Sequence, residues 1–531
     1  MPFFPLFSAV LLAVSSTRAA FIVPSQSRSS LVLENKVVSP DGFSRVAVTV
    51  NGKFPSPIIS ANKGDNFQIN VVNKLTDKNI PRATSVHFHG LFMVKDILSA
   101  SDLRGSKCTQ DQTSWADGAA FVTQCPISPS HSFSYDFTPK GQAGTFWYHS
   151  HLQLQYCDGL RGPLIIYDPR DPYQGLYDVD DESTVVTLGD WLHFTSRNLP
   201  FPPIFDTTLV NGLGRFAGGP LSPLAVISVK KGLRYRFRLL NIACDPDFVF
   251  GIQGHSMTVI EADGVLTQAR VVDSIHIHVG QRYSFVLNAD QKIDNYWIRA
   301  IPNYVLSFVM LAPPVKDPAN PNLLLPSNKP LKEADLAPFI PTPVPGVRKL
   351  GAADVSLNLA IDVDVVAQLY TIGGATFTPP SVPVLLQILS GAQTAQQLLP
   401  KGSFYTLPKN KVIEISIPGA SDPAASQHPF HLHGHNFHVI RSAGTTNYNF
   451  INPPVRDVVN IGTGAAKDNV TIRFATDNDG PWILHCHVDF HLNAGLAVVL
   501  VEDAPTIRKE SIPKAWNDLC PIYNALPASE L

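Results

Sequence analysis

The chain has 531 residues, room for about three domains at roughly 150 residues each. Lys and Arg number 41 against 43 Asp and Glu, a net charge of −2, which argues against nucleic acid as the main partner because that role favours a basic surface. With 16% charged and 44% hydrophobic residues, the chain is too apolar to be disordered and has ample material for large cores.

Residues 1–20, MPFFPLFSAVLLAVSSTRAA, read as a secretory signal peptide: an apolar stretch from Phe3 to Val14, then small residues ending at Ala19 and Ala20. That stretch is shorter than the roughly 18 residues of a spanning helix, and no other segment reads as a membrane span. The opening residues carry no Lys or Arg, so a buried N-terminal strand is the competing reading. Further along, short β-branched or alternating runs recur: Ser44–Val50, Phe67–Val72, Thr184–Leu188, Val226–Val229, Arg234–Leu240, Tyr283–Leu287, Val412–Ile417, Val470–Phe474 and Ala497–Val501. Turn residues separate them, as in Pro40-Asp41-Gly42 and Asp117-Gly118. Many short strands with frequent turns predict β-sandwiches or barrels. Only Leu331–Ala337 and Val384–Leu399 read as short helices. The Pro-flanked run Asp168–Pro172 and the proline-rich linker Ser327–Arg348 divide the mature chain into 21–170, 171–340 and 341–531, each compatible with one sandwich domain. Six cysteines (108, 125, 157, 244, 486, 520) allow 15 pairings, and a secreted route permits disulfides. Asn469-Val-Thr471 is an N-glycosylation sequon.

The histidines carry the strongest signal. Seventeen of them would give about 0.5 His-x-His pairs by chance at this composition. Six occur: His87/His89, His149/His151, His276/His278, His431/His433, His433/His435 and His485/His487. On a strand, residues i and i+2 share a face, so each pair presents two imidazoles side by side, and neutral imidazole suits Cu, Zn, Fe and Ni. One such pair is ordinarily just two satisfied polar residues, and His276/His278 fits that description. Four pairs, two near each end of the chain, predict convergence of eight imidazoles on a metal cluster if the first and last domains face each other. In His485-Cys486-His487 the alternation sends the thiol to the opposite face. With His491 five residues on and His428 upstream, it forms a two-His, one-thiolate set of the blue-copper kind. A Cys/His zinc site is the alternative, but it leaves eight further imidazoles unexplained. Only a few bonds separate Cys486 from its flanking histidines, which gives a short electron path between two sites.

These motifs resemble those of multicopper oxidases, and most closely fungal laccases. The residues carrying the resemblance are His87-Phe-His89-Gly, Trp115-Ala-Asp-Gly118 with Gln124-Cys125-Pro126, Gly144-Thr-Phe-Trp-Tyr-His149-Ser-His151, Tyr156-Cys157-Asp-Gly-Leu-Arg-Gly162, His428-Pro-Phe-His-Leu-His-Gly-His435 and His485-Cys-His-Val-Asp-Phe-His491-Leu-Asn-Ala-Gly495. The resemblance spans the mature chain. It implies three cupredoxin-like Greek-key β-sandwich domains, four copper ions, phenol or aromatic amine donors, O2 as acceptor, and a secreted monomer. It assigns a type 1 copper to His428, Cys486 and His491, with Leu496 at the non-coordinating axial position. A type 2 copper falls to His87 and His431, one type 3 copper to His89, His149 and His487, and the other to His151, His433 and His485. His276, His278, His435 and His438 are left without a ligand role. It further implies disulfides Cys125–Cys520 and Cys157–Cys244, with Cys108 unpaired, phenol contact at Asp245, proton transfer through Asp117 and support of the copper ligands by Asp489. Their ordinary readings are a turn residue before Pro246, an Asp-Gly turn and a solvated strand end.

Two departures stand out. Phe88 replaces the Trp usual between the first two histidines, a change expected to matter little because the side chain points away from the metal. The segment Phe92–Ser114 is roughly 17 residues longer than in the family, either a real loop, which costs little thermodynamically, or a retained intron. The expected activity is that of a benzenediol:oxygen oxidoreductase; a metal-ion oxidase and a copper electron-transfer protein are the alternatives.

Overall fold

The computed structural model describes residues 25–97, 109–139, 141–199, 204–302, 327–420, 427–464 and 467–527. The expected signal peptide and Cys108 lie outside them. The described chain forms three successive two-sheet β-sandwiches. In the first, one sheet runs Arg45–Val50, Arg28–Val38, Phe67–Asn73, Ser132–Pro139, Met93–Ile97, Thr109–Gln112, and the other runs Ile59–Asn62, Arg161–Tyr167, Gly144–Ser150, Val86–His89. Arg28–Val38 pairs antiparallel with one neighbour and parallel with the other. The reason for the sandwich is visible in Phe67–Asn73, where Phe67, Ile69 and Val71 are buried and alternate with more exposed Gln68, Asn70 and Val72. The lengthened segment contributes the antiparallel hairpin Met93–Ile97 and Thr109–Gln112, which extends the sheet beyond Ser132–Pro139.

The second sandwich is built from strands between Val185 and Pro302, the third from strands between Val355 and Glu502. Most of the strand runs read from sequence are strands here. Val226–Val229 is irregular: Val226 and Val229 are exposed, so their apolar side chains have no sheet face to bury. The expected helix Val384–Leu399 ends at Leu389. The helix buries Val384, Leu385 and Ile388; beyond it Gln393, Thr394, Gln396 and Gln397 are exposed, and Leu398 returns to the core. Leu331–Ala337 contains just the 3-10 turn Glu333–Asp335.

The first and third sandwiches share one continuous buried apolar cluster, while the second has its own. The joint is detailed. Val384 and Leu385 donate backbone N–H groups to the carbonyls of Phe121 and Val122 at 3.1 and 2.9 Å. The C-terminal helix Lys514–Asn524 buries Trp516 and Leu519, and the Trp516 indole N–H donates to Thr123 O at 2.9 Å. Cys520 on this helix is disulfide-bonded to Cys125, and Cys157 to Cys244. The first pair ties the C-terminal helix to the first sandwich across 395 residues, and the second ties the consecutive first and second sandwiches across 87. Among the described residues, no helix is long and apolar enough to cross a membrane.

Candidate metal centre

Strand register brings the histidines together. Val86–His89 runs antiparallel to Gly144–Ser150 with His87 opposite His149, and His431 lies opposite His485 on the corresponding strands of the third sandwich. Phe88 points the other way, into the core against Tyr135 and Phe137. The two sets then meet across the joint: the His87 ring stacks on His433 at 3.9 Å and His89 on His431 at 3.7 Å. His487 Nε2 lies 3.1 Å from His89 Nδ1, and His433 Nε2 lies 3.3 Å from His485 Nε2. His151, His433 and His485 have donor atoms within 4.8 Å of one another, as do His87, His431 and His433. The ends of the chain thus meet at one cluster of eight imidazoles.

The outer ring nitrogens of six of the eight are occupied. Nδ1 of His87 hydrogen-bonds Asp117 O at 2.7 Å, His149 bonds Ser150 O at 2.8 Å, His431 bonds Asp457 O at 2.9 Å and His485 bonds Cys486 O at 2.8 Å. His433 Nδ1 meets the Asp117 carboxylate at 2.9 Å, and His89 Nε2 meets that of Asp457 at 3.2 Å. These contacts fix each tautomer with the N–H outward. Nε2 of His87, His149, His151 and His431 is buried with no hydrogen-bond partner. Orphaned buried acceptors of this kind are costly and fit a bound cation. Burial lowers the imidazole pKa values, to about 3 for His151 and His487 and well below the ordinary value for His89, His149, His431, His433 and His485. These seven rings are therefore neutral, the form a metal requires.

Cys486 faces the opposite way, as the alternation predicts. Its Sγ lies 3.7 Å from His428 Nδ1 and 3.5 Å from His491 Nδ1, and the three form a compact donor set. His491 sits on the short helix Asp489–Asn493. Leu496 is fully buried; its N–H donates to His491 O and its carbonyl accepts from Cys486 N–H. The Tyr370 ring lies 4.9 Å from His491 and 5.7 Å from His428.

The three carboxylates fall in different settings. Asp117 is fully buried between His87 and His433. The next residue, Gly118, is at φ +81°, and a Cβ there would meet Val86 O at 1.9 Å, so this turn against the His87 strand needs glycine. Asp489 is buried, its carboxyl pushed well above the usual range by desolvation, with the Cys157 sulfur 3.6 Å away. Asp245 is half-buried, and its N–H donates to Asp190 at 3.2 Å. His435 bonds Glu502 at 2.8 Å and takes no part in either metal cluster.

Sequence reasoning missed Asp457 and Arg282. Arg282, in the second sandwich, donates to both Asp457 oxygens at 2.6 and 2.7 Å and to Thr145 O at 3.0 Å. It therefore bonds the first and third sandwiches at once. The available signal was the charged pair Arg456-Asp457 inside the otherwise apolar run Val455–Val459. Buried charges are kept only where they are paired.

Comparison with known proteins agrees with this geometry. Three family models described as multicopper oxidase match residues 32–99 with 105–171, 182–311 and 377–506. The chain is 53% identical over 529 residues to Laccase-2 of Trametes villosa, covering 97% of each chain, and 51% identical over 535 residues to a laccase of Trametes hirsuta, covering 99% of each. Among solved structures it is similar to Fet3p, a multicopper oxidase that functions in iron import, with TM-score 0.78 and 27% identity over 93% of this chain and 94% of that one. The chain therefore belongs to the multicopper oxidase family and, within it, to the fungal laccases, oxidoreductases that act on diphenols with O2.

Proposed function

We propose that this laccase is secreted, takes one electron at a time from phenols or aromatic amines, and couples four such oxidations to reduction of O2. Four phenols each lose one electron and one proton; O2 gains four electrons and four protons and leaves as two waters. The observation that carries the reading is the pairing of two donor sets through one residue: eight converging imidazoles, four of them with a buried, unpartnered Nε2, and a two-His, one-Cys set whose thiol flips out from between His485 and His487.

His428, Cys486 and His491 would hold a type 1 copper, beside buried Leu496, whose side chain has no ligand atom. His87 and His431 would hold a type 2 copper, while His89, His149 and His487, with His151, His433 and His485, would hold the type 3 pair. Bound copper supplies the one-electron acceptor at the first site and the O2-reducing centre at the second. Cys486 and its flanking backbone give the shortest covalent route between them. Asp245 accepts the phenol proton as the electron leaves, a general-base role. Asp117 orients His87 and His433 and passes protons toward the cluster. Asp489 anchors the helix that carries His491, its N–H donating to Cys244 O at 2.9 Å. The chain acts as a monomer, with residues 1–20 removed on export and a glycan on Asn469.

The test uses the protein purified from culture medium. Four coppers per chain, a blue absorption band and O2 uptake that depends on added phenol are expected. A single metal per chain, or no phenol-dependent uptake, would overturn the reading. Faster turnover of Fe(II) than of any phenol would replace it with a metal-ion oxidase.

A further inference from the structure

The sixth His-x-His pair lies apart from both copper sites. His276 is on the strand Ile275–Ile277, which pairs antiparallel with Phe248–Ile252, with Phe248 opposite Ile277 and Val249 opposite His276. Continuing that register by one residue puts Asp247 opposite His278. Ile275 and Ile277 turn into the core of the second sandwich, so His276 and His278 share the other face. Their rings are 4.3 Å apart between centroids. Both address one carboxylate oxygen: His276 Nε2 hydrogen-bonds Asp247 Oδ2, and His278 Nδ1 lies 4.0 Å from the same atom.

Hydrogen bonding accounts for only part of this arrangement. His276 and Asp247 make an ordinary imidazole–carboxylate pair. His278 Nδ1 has no hydrogen-bond partner although the residue is only 7% exposed. A buried polar nitrogen left so is costly. We propose that His276, His278 and Asp247 form a binding site for a borderline divalent cation such as Zn2+, separate from the copper centres. Two imidazoles and a carboxylate match the donors such ions take, and ligand distances near 2.0–2.2 Å put neighbouring donor atoms roughly 3.3 Å apart in a tetrahedral site. The 4.0 Å separation of His278 from Asp247 therefore closes by less than about 1 Å. The His278 backbone N–H donates to Gln281 Oε1 at 3.1 Å, which fixes the chain at that point. The His276 side chain is 34% exposed, which provides an entry path. Arg456 acts on His278 from the third sandwich, but its charge is answered by Asp263 at 2.8 Å and Glu333 at 2.7 Å.

The experiment is calorimetric titration of Zn2+ into the copper-loaded enzyme, with metal content measured before and after. One zinc bound per chain without loss of copper is expected, and that binding is lost in both His276→Gln and His278→Phe with copper content unchanged. Co2+ bound in place of zinc gives the absorption of a low-coordinate site in the native enzyme and in neither variant. Absence of zinc binding by the copper-loaded enzyme overturns the proposal, and so does zinc binding that persists undiminished in the two variants.

Discussion

Replacing Arg282 by Met removes the guanidinium that spans three sandwiches while keeping much of its apolar stem. Arg282 and Asp457 are both fully buried, and two charge-assisted hydrogen bonds join them at 2.6 and 2.7 Å. Breaking such a pair from one side leaves a buried carboxylate without its cation, a loss of about 3–5 kcal/mol. The consequence reaches the cluster because the Asp457 carboxylate also holds His89 Nε2 and its carbonyl holds His431 Nδ1. Loss of such an outer partner lowers metal affinity by about 10–100-fold. The variant is expected to lose copper from the eight-histidine cluster on dialysis against a chelator while keeping the blue band of the Cys486 site, and to inactivate thermally faster than the parent. A second variant, Arg282→Met with Asp457→Leu, separates the two effects. Removing both charges is expected to restore part of the stability, but not the copper, because His89 then has no carboxylate to orient it. Copper content measured by mass spectrometry and inactivation half-life are the readouts. Full copper retention and an unchanged half-life in Arg282→Met would refute the reasoning.

Asp245→Asn is expected to lower kcat/KM for phenols by about 10²-fold and to change its pH profile, while oxidation of a donor without an ionisable proton stays near the parent rate; an unchanged phenol profile counts against the base assignment. Leu496→Met, which places a weak thioether ligand beside Cys486, is expected to lower the type 1 potential in a redox titration, and an equal or higher potential would contradict the axial placement. Asp158 is buried 3.0 Å from Arg45, and burial pushes its carboxyl from 3.8 up to about 6. Because the folded value lies above the unfolded one, its contribution to stability is fully present below about pH 4 and is lost as the pH rises through about 6, by about 3 kcal/mol. Comparison of chemical unfolding of the parent and Asp158→Asn from pH 4 to 7 checks this: the parent's stability relative to the variant is expected to fall across that range, and a constant difference would refute it.

The parts legible in the sequence are those governed by local periodicity. The two-residue repeat of a strand made His87 and His89 neighbours and sent Phe88 and Cys486 to opposite faces from their flanking histidines, and the structure keeps each of these orientations. Val226–Val229 misled because alternation identifies a strand only if a sheet edge waits for it, and those side chains face solvent. The helix expected over Val384–Leu399 misled for a different reason: the apolar residues continue to Leu398, which is buried in the same core, but the chain leaves the helix at Ser390-Gly391, with Gly391 at φ +126°. Arg282 and Asp457 were illegible because they are 175 residues apart, and nothing in either local sequence names the other. The meeting of Asp117 with His433, 316 residues away, is of the same kind.

The second sandwich contributes no residue to either copper donor set, yet it determines how closely the other two meet. Arg282 bonds Thr145 O of the first and Asp457 of the third, and Asp263 receives Arg456 of the third at 2.8 Å. Gly280, on the turn before Arg282, stands at φ +83°, and a Cβ there would lie 3.0 Å from His487 Cδ2 and 3.2 Å from His89 Cε1. Those two rings come from opposite ends of the chain and approach each other to 3.1 Å. A side chain at Gly280 would therefore press on both partners of one expected type 3 site and strain the backbone as well. The middle domain thus acts on the cluster through a backbone turn and a set of buried ion pairs, and the residues that do so, Gly280, Arg282 and Asp263, carry no metal-ligand signature.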